Sequence, residues 1–243
     1  MSDDHDAGEA SGTAAGAPPG GTAGGRIERE KHAAAQVAAA LVEAHMLVGL
    51  GTGSTVAHLL PELARRALAI RCVATSPATE AAAARLGLDV VPFAGPRRLD
   101  LAIDGADQVG PACWLVKGGG GAHTREKVVA AAAERFVVIV SSDKLVVGLH
   151  APIPLELLEF GVDATLRSLG GARLRGGPPS PDGGVLADYL GDVGDPAALA
   201  DRLSAVPGVV SHGLFPPELV GEVLVGETVA DGSATVRRVA PGV

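Results

Sequence analysis

Residues 46–55 read MLVGLGTGST, an apolar run that ends in a glycine-rich turn. The run is short and bounded by glycine, which predicts a buried strand over residues 46–50, and the stretch after the turn predicts a helix over residues 56–68. Glycines at such a junction let backbone N–H groups converge on an anion, but they equally suit a plain turn with Ser/Thr capping. The turn matches neither GxxxxGK[ST] nor GxGxxG followed by an acidic residue, which disfavours nucleotide and dinucleotide sites.

The alternation of strand and helix continues on both sides of this turn. Further helices are predicted over residues 28–43, 77–86 and 124–134, and further strands over residues 70–74, 90–91, 99–103 and 136–140. Alternation of this kind predicts an α/β fold, with a Rossmann-like, mainly parallel sheet and helices on both faces. Ligands of such sheets bind beyond the carboxyl ends of the strands, where the polar and glycine-rich motifs of this chain lie.

After residue 152 the pattern changes to short strands and helices around a Gly/Pro-rich loop at 176–184, which predicts a smaller α+β (ferredoxin-like) domain. Residues 1–27 begin acidic and become rich in Gly, Ala and Pro, without the basic start and apolar stretch of a secretory signal. The predicted segments are a disordered tail (1–27), a catalytic α/β domain (28–150) that residues 221–243 rejoin, and the small domain (151–220).

Composition excludes several classes of partner. The net charge of −8 argues against nucleic acid, which needs a basic surface. No apolar run reaches the roughly 18 residues that a membrane span requires. The two cysteines, Cys72 and Cys113, lack CxxC spacing and are predicted to be small buried side chains, which fits a reducing cytoplasm.

Two loop motifs are candidates for chemistry. Asp104-Gly105-Ala106-Asp107 follows a predicted buried strand, so its carboxylates either contact sugar hydroxyls in a cleft or form a simple Asx turn. Lys117 precedes four glycines, 118–121, whose conformational freedom is costly to order. Close approach of backbone to a ligand, with N–H groups that stabilise an oxyanion, explains them better than a flexible linker, because a strand and a helix flank them.

Glu126 stands in the first turn of the helix that follows these glycines, where a glutamate is often only a capping or dipole partner. Lys144, after the next strand, adds a cation that on its own is typical of a solvated surface. The seven histidines show no metal-ligand spacing.

Taken together, these stretches resemble the ribose-5-phosphate isomerase A family over roughly residues 28–230. The matching pieces, in the order and spacing of the family, are VGLGTGST (48–55), ATSPAT (74–79), DLAIDGAD (100–107), LVKGGGGAHTREK (115–127), VIVSSDKLV (138–146), PIPLELL (152–158) and PGVVSHGLF (207–215). Departures are Gln108, where the family usually has Glu, and residues 182–184, which read Asp-Gly-Gly in place of the start of Asp-Asn-Gly-Asn.

The resemblance implies interconversion of D-ribose 5-phosphate and D-ribulose 5-phosphate through an enediolate, in the non-oxidative pentose phosphate pathway. It implies no metal and no organic cofactor, a cytoplasmic homodimer or homotetramer, and a phosphosugar as the small-molecule partner. Glu126 corresponds to the general base, and Asp104, Asp107 and Lys117 complete the implied catalytic set. The implied substrate-binding residues are Lys31, Thr52, Gly53, Ser54, Thr55, Gly105, Ala106, Gly118, Gly119, Gly120 and Lys144.

Two other functional classes are alternatives to an isomerase. A sugar-phosphate sensor on a related fold would bind ligand without turnover, but such regulators usually carry a DNA-binding helix-turn-helix, for which the stretch before residue 28 is too short and acidic. An acyl-CoA transferase of distantly similar architecture would use its glutamate as a nucleophile and normally needs a longer chain. Side activity on related phosphosugars, such as allose 6-phosphate, stays open.

Overall fold

The structure is a computed structural model that describes residues 23–94 and 98–242. Its helices are α1 (Ala23–Ala40), α2 (Ser54–Arg65), α3 (Pro77–Arg85), α4 (His123–Ala132), α5 (Val162–Leu169) and α6 (Pro196–Ser204). Its strands are β1 (Leu47–Leu50), β2 (Arg71–Ala74), β3 (Asp89–Val90), β4 (Leu101–Asp104), β5 (Gln108–Val109), β6 (Leu115–Val116), β7 (Phe136–Ser141), β8 (Ile153–Leu157), β9 (Ala172–Leu174), β10 (Val185–Tyr189), β11 (Val209–His212), β12 (Leu214–Phe215), β13 (Glu222–Thr228) and β14 (Ala234–Val239).

A seven-stranded sheet of order β14-β13-β7-β4-β1-β2-β3 forms the centre of the fold. All neighbours in it are parallel except β14, which is antiparallel to β13. The chain runs outward from β1 to β2 and β3, then returns to the other side of β1 as β4. The loops after β1 and β4 therefore leave the sheet in a crevice at the point where the strand order reverses, which is where open α/β sheets bind ligands.

Both faces of this sheet are buried, as expected for its apolar central strands. Alternate residues of each strand point to opposite faces: Ile139 packs with α1, α2 and α3, whereas Val138 and Val140 pack against α4. Many contacts on the α1 side are made by alanines, such as Ala34 and Ala38, which lets the helix lie close to the sheet. The predicted Rossmann-like α/β fold is confirmed.

The smaller sheet has the antiparallel order β11-β8-β10-β9. With α5 between β8 and β9 and α6 between β10 and β11, it follows the β-α-β-β-α-β pattern of ferredoxin-like folds, as predicted. A third, antiparallel sheet of order β12-β6-β5 was not predicted, because its two-residue strands are too short for a periodic pattern. The proposed domain boundaries at residues 150 and 220 stay a prediction.

The start of α1 corrects one boundary. Helix α1 begins at Ala23, so residues 23–27 are helical and do not belong to a disordered tail. An ion pair between Arg26 and Glu30, 3.4 Å apart and four residues along the helix, supports this extra turn. Residues 1–22, which carry the rest of that prediction, lie outside the described residues.

Glu30 joins three distant parts of the chain. Its buried carboxylate accepts hydrogen bonds from the backbone and hydroxyl of Ser142, at 3.0 and 2.7 Å, and from those of Thr228, at 3.1 and 2.9 Å. Ser142 begins the short 3-10 turn Ser142–Lys144 after β7, and Thr228 ends β13. This contact fixes α1 against the carboxyl ends of both strands.

Two predictions from composition have counterparts in the structure. Cys72 and Cys113 are both buried and unpaired, as predicted. Among the helices of residues 23–94 and 98–242, none is both long and apolar enough to cross a membrane.

Candidate active site

One cavity lies in the crevice between the loops that follow β1 and β4. Its lining consists of Thr52, Gly53, Ser54, Thr55, Gly105, Ala106, Asp107, Lys117, Gly118, Gly119, Gly120, Glu126 and Lys144. Every site residue predicted from the sequence is on this surface except Asp104, which lies beneath it, and Lys31. A larger cavity is lined by apolar strand ends and by the outer face of α4. Its lining includes Arg125 and Asp182 but none of the predicted site residues.

Lys117 is the centre of a buried ionic cluster. Its ammonium lies 2.8 Å from Asp104 Oδ2 and 3.2 Å from Glu126 Oε2, and it donates to the carbonyl of Gly105 at 2.6 Å. Only 2% of the Lys117 side chain is exposed, and the Phe215 ring packs beneath the ammonium, 5.4 Å away. Glu126 Oε2 has no well-directed hydrogen bond within the described residues, so its contact with Lys117 is an ion pair by distance alone.

One ammonium thus faces two buried carboxylates. Burial raises the pKa of Glu126, and the nearby charge of Asp104 raises it further, to about 7, although Lys117 opposes both effects. Burial also raises the pKa of Asp104 against the lowering effect of Lys117. Burial alone would lower the pKa of Lys117, but the two carboxylates more than offset it, so the pKa is raised. Lys117 stays protonated, and Glu126 exchanges a proton near neutral pH.

The two aspartates of the 104–107 turn have different surroundings. Asp104 is 3% exposed, and its Oδ1 accepts from the backbone N–H groups of Thr52 and Gly105, at 3.0 and 2.7 Å. Its Oδ2 faces Lys117, and Asp104 is not among the described residues that line the cavity. Asp107 is exposed on the cavity wall, and its one hydrogen bond among the described residues joins its Oδ2 to the N–H of Gly119 at 2.7 Å.

Glycine is required at two places in this site. A Cβ on Gly51 would lie 1.8 Å from the Asp104 carboxyl group, so a side chain there would displace the buried carboxylate. Gly118 has a φ of +105°, a conformation that other residues rarely adopt, and a Cβ there would lie 2.7 Å from His123 Nδ1. The glycines of 118–121 therefore belong to an ordered turn between β6 and α4, as predicted.

The other end of the cavity is suited to an anion. Gly53, with a φ of +110°, precedes α2, and within residues 23–94 and 98–242 no side chain caps the first N–H groups of that helix. Ser54 and Thr55 supply hydroxyl groups there, and Lys144 lines the same cavity. Lys144 lies 3.4 Å from Asp143 and is partly exposed.

Lys31 is not brought to this cavity. Its ammonium is bound to Glu28 on the preceding turn of α1, at 2.7 Å. The second oxygen of Glu28 lies 2.8 Å from His58 Nε2 on α2, so Lys31 stays near the start of α2 but is directed at a carboxylate.

Sequence reasoning missed three contacts to the site. Thr75 Oγ1 lies 2.9 Å from Thr52 Oγ1, and the only sequence signal was its place in the ATSPAT stretch. Phe215 lies beneath Lys117, because β12 pairs with β6. Arg175 donates to the carbonyls of Gly118 and Gly119, from which it is 57 and 56 residues away along the chain, so no local pattern could indicate the contact.

The residues at which this sequence departs from the usual family pattern also have defined hydrogen-bond partners. The Gln108 amide donates to the carbonyl of His150 at 2.8 Å and accepts from its N–H at 2.9 Å, a two-way contact that a glutamate could not make. Asp182 forms a two-point ion pair with Arg125 of α4. Within residues 23–94 and 98–242, no three His, Cys, Asp or Glu side chains converge as metal ligands.

Comparison with known proteins shows which family this chain resembles. A family model described as "Ribose 5-phosphate isomerase A (phosphoriboisomerase A)" matches residues 71–229. Ribose-5-phosphate isomerase A of Methanosarcina acetivorans is 45% identical over 201 residues, which cover 76% of this chain and 86% of the relative.

Solved structures agree with the sequence comparison. Ribose 5-phosphate isomerase A of Methanocaldococcus jannaschii superposes with a TM-score of 0.80 at 34% identity, covering 88% of this chain and 99% of that one. A D-ribose-5-phosphate isomerase in complex with phospho-erythronic acid gives a TM-score of 0.81 at 30% identity, with coverage of 88% and 99%. The chain described here belongs to the ribose-5-phosphate isomerase A family.

Proposed function

We propose that this chain interconverts D-ribose 5-phosphate and D-ribulose 5-phosphate, with Glu126 as the group that moves the proton. The observation that carries the proposal is the position of Glu126 on the cavity wall beside Lys117, with a pKa raised to about 7. A general base with a pKa near the working pH is populated in the form that accepts a proton and, once protonated, can return it.

The proton transfer follows from this placement. Glu126 removes the proton from C2 of the open-chain aldose, and the electron pair of that bond forms the C1–C2 double bond of an enediolate. The same carboxyl group then returns the proton to C1. The hydroxyl proton on O2 moves to O1, so that C2 becomes the ketone carbonyl and C1 carries a hydroxyl group. General acid–base catalysis of this kind contributes about 10²–10⁴-fold.

The negative charge that develops on the enediolate oxygens needs donors in place beforehand. Lys117 supplies a permanent positive charge at the floor of the cavity. Gly120 lies on the lining, and its N–H group has no hydrogen-bond partner among the described residues, so we assign it to an oxygen of the substrate.

The two aspartates take separate parts in this proposal. Asp104 holds Lys117 and the 51–53 turn in place, because it is buried and both its oxygens contact protein groups. Asp107 has a carboxylate oxygen free at the cavity wall and assists ring opening: it takes the proton of the C1 hydroxyl group as the C1–O4 bond breaks, and it delivers that proton to O4.

Asp107→Asn is expected to slow turnover of ribose 5-phosphate by at least about tenfold, since an amide is not a base. Ribulose 5-phosphate cannot close the corresponding ring, because its C5 hydroxyl is esterified. Exchange of its C1 proton with solvent deuterium, followed by NMR, should therefore be nearly unchanged. Equal loss of both rates would instead place Asp107 in the enediolate step.

The phosphate group is proposed to lie at the start of α2, where the helix N-terminus and the hydroxyls of Ser54 and Thr55 line the same cavity as Lys144. Lys31 contributes only after it leaves Glu28 and turns toward the start of α2. Phospho-erythronic acid, which a relative of this chain binds, should occupy the same cavity. Its carboxylate carries negative charge where the enediolate develops it.

The pathway, the cellular compartment and the oligomeric state are also proposals. We infer that the enzyme acts in the non-oxidative pentose phosphate pathway in the cytoplasm, on the basis of its phosphosugar substrate and its two unpaired buried cysteines. A homodimer or homotetramer is proposed from the family alone, and light scattering on the purified protein would decide between these states and a monomer.

The activity itself is tested with ribose 5-phosphate, ribose and a chelator. Ketose formation from ribose 5-phosphate should be unaffected by EDTA, whereas kcat/KM for unphosphorylated ribose should be lower by at least about 10²-fold, because charge-assisted contacts to the phosphate are lost. Binding of ribose 5-phosphate without turnover would favour a sensor. Acyl transfer between CoA thioesters, with no ketose formed, would favour a CoA transferase.

A further inference from the structure

An arginine of the ferredoxin-like unit, which comprises β8–β11 with α5 and α6, holds the carbonyl side of the glycine turn. Arg175 follows β9, and its Nη1 donates to the carbonyl oxygens of Gly118 and Gly119, at 2.9 and 3.3 Å. Asp188 on β10 fixes the guanidinium through a two-point ion pair, in which Nε lies 3.2 Å from Oδ2 and Nη2 donates to Oδ1. Planar two-point pairing of this kind fixes orientation as well as distance.

The direction of these carbonyls determines the direction of the N–H groups across the same peptides. A trans peptide is planar, so its N–H points opposite to its C=O. In the 118–119 peptide, the carbonyl faces Arg175 and the N–H reaches Asp107 Oδ2 at 2.7 Å. In the 119–120 peptide, the carbonyl again faces Arg175, and the N–H of Gly120 is turned toward the side on which the cavity lies.

We propose that Arg175 is a positioning residue that sets the oxyanion-binding N–H group of Gly120 by holding the opposite ends of two glycine peptides. This inference rests on the proposed isomerase activity. One bond within the turn helps to fix it, since the Gly121 N–H donates to the Gly118 carbonyl at 3.0 Å, but the Gly119 carbonyl has only Arg175 as a partner among the described residues. Glycines have no side chain and a broad choice of backbone conformations, so the 119–120 peptide depends on this outside contact. A hydrogen bond to a carbonyl also polarises the amide, which makes its N–H a stronger donor.

Lysine could not take the place of this arginine. The guanidinium holds two carbonyl oxygens and one carboxylate at once through donors in a fixed plane, whereas an ammonium is a point charge on a flexible stem. The side chain does not line the cavity, so it acts on the substrate only through the turn.

Arg175→Met is expected to lower kcat for ribose 5-phosphate by about 10–100-fold, with KM within about threefold of wild type, because a misplaced oxyanion donor is felt in the transition state. The inhibition constant of phospho-erythronic acid should rise in parallel with the loss of kcat. Arg175→Lys should show the same pattern. Because it keeps a positive charge, it tests the proposal even if the methionine variant fails to fold.

Asp182→Asn is the matched control, since it weakens another two-point ion pair between the small unit and α4 without touching the glycine turn. It should keep kcat within about twofold. A wild-type kcat in both folded Arg175 variants would overturn the positioning role of Arg175 but not the isomerase proposal. An equal loss of kcat in the Asp182 control would also overturn it, because any ion pair that joins the ferredoxin-like unit to the large domain would then explain the effect. Wild-type enzyme that produces no ketose would overturn the isomerase proposal together with it.

Discussion

Glu126→Gln should fold as the wild type does and lose isomerase activity by about 10²-fold or more, because the amide cannot accept the C2 proton. In the wild type, kcat/KM should rise with pH through about 7, where the buried carboxyl group of the free enzyme ionises. The rate of ketose formation, measured between pH 5.5 and 8.5, checks both statements.

The stability of this variant provides an independent check. The pKa of Glu126 is raised by folding, from about 4.5 to about 7, so its neutral form favours the folded state and that contribution is lost as the pH rises through 7. Glutamine stays neutral, so the melting temperature of the variant should equal or exceed that of wild type above pH 7. Glu134→Gln, an exposed change just beyond α4, is the matched control and should alter neither activity nor stability. A Glu126→Gln enzyme with more than a tenth of wild-type turnover would exclude Glu126 as the base.

Lys117→Met should be the most destabilising single change in the site. It leaves Asp104 and Glu126 facing each other in a buried space without a cation, and removing one partner of a buried ion pair typically costs about 3–5 kcal/mol. Both carboxyl groups are neutral at low pH, so the loss in free energy of unfolding should be larger at pH 8 than at pH 5. Activity should fall by at least about 10²-fold.

Urea denaturation at both pH values measures this effect, and a double variant separates its two parts. Lys117→Met combined with Asp104→Asn removes one of the two stranded charges and should recover much of the stability at pH 8, while activity stays low. If Lys117→Met alone is as stable as wild type at pH 8, the cluster is not the tightly coupled group described here.

The local pattern of the sequence was enough to predict the large sheet and much of the cavity. Strand–helix alternation placed the loops after β1 and β4 at one edge, so Thr52 and Asp107 were expected to meet there. The same reasoning could not show that Lys117 is buried between two carboxylates, because a lysine before four glycines looks equally like a solvated loop residue. Its burial depends on Phe215, which arrives from a strand far along the chain.

Two further features escaped prediction for different physical reasons. The sequence did not place strand β8, because proline is rare in interior strands; Pro154 nevertheless lies within β8, and its carbonyl accepts from Gly213 N–H at 2.7 Å. Arg175 carries no local signal, because its role depends on the ferredoxin-like unit docking against the glycine turn. The assignment of Glu126 as the base came from family resemblance and not from its spacing.

The contact of Glu30 with Ser142 and Thr228 has a consequence for how the protein is made. As the chain leaves the ribosome, α1 and β7 appear well before β13, and the whole ferredoxin-like unit is synthesised in between. Until β13 arrives, half of the partners of Glu30 and one edge of β7 lack their neighbours. Such long sequence separation between contacting segments slows folding and exposes strand edges in the nascent chain, so the last strands synthesised govern when the large sheet is complete.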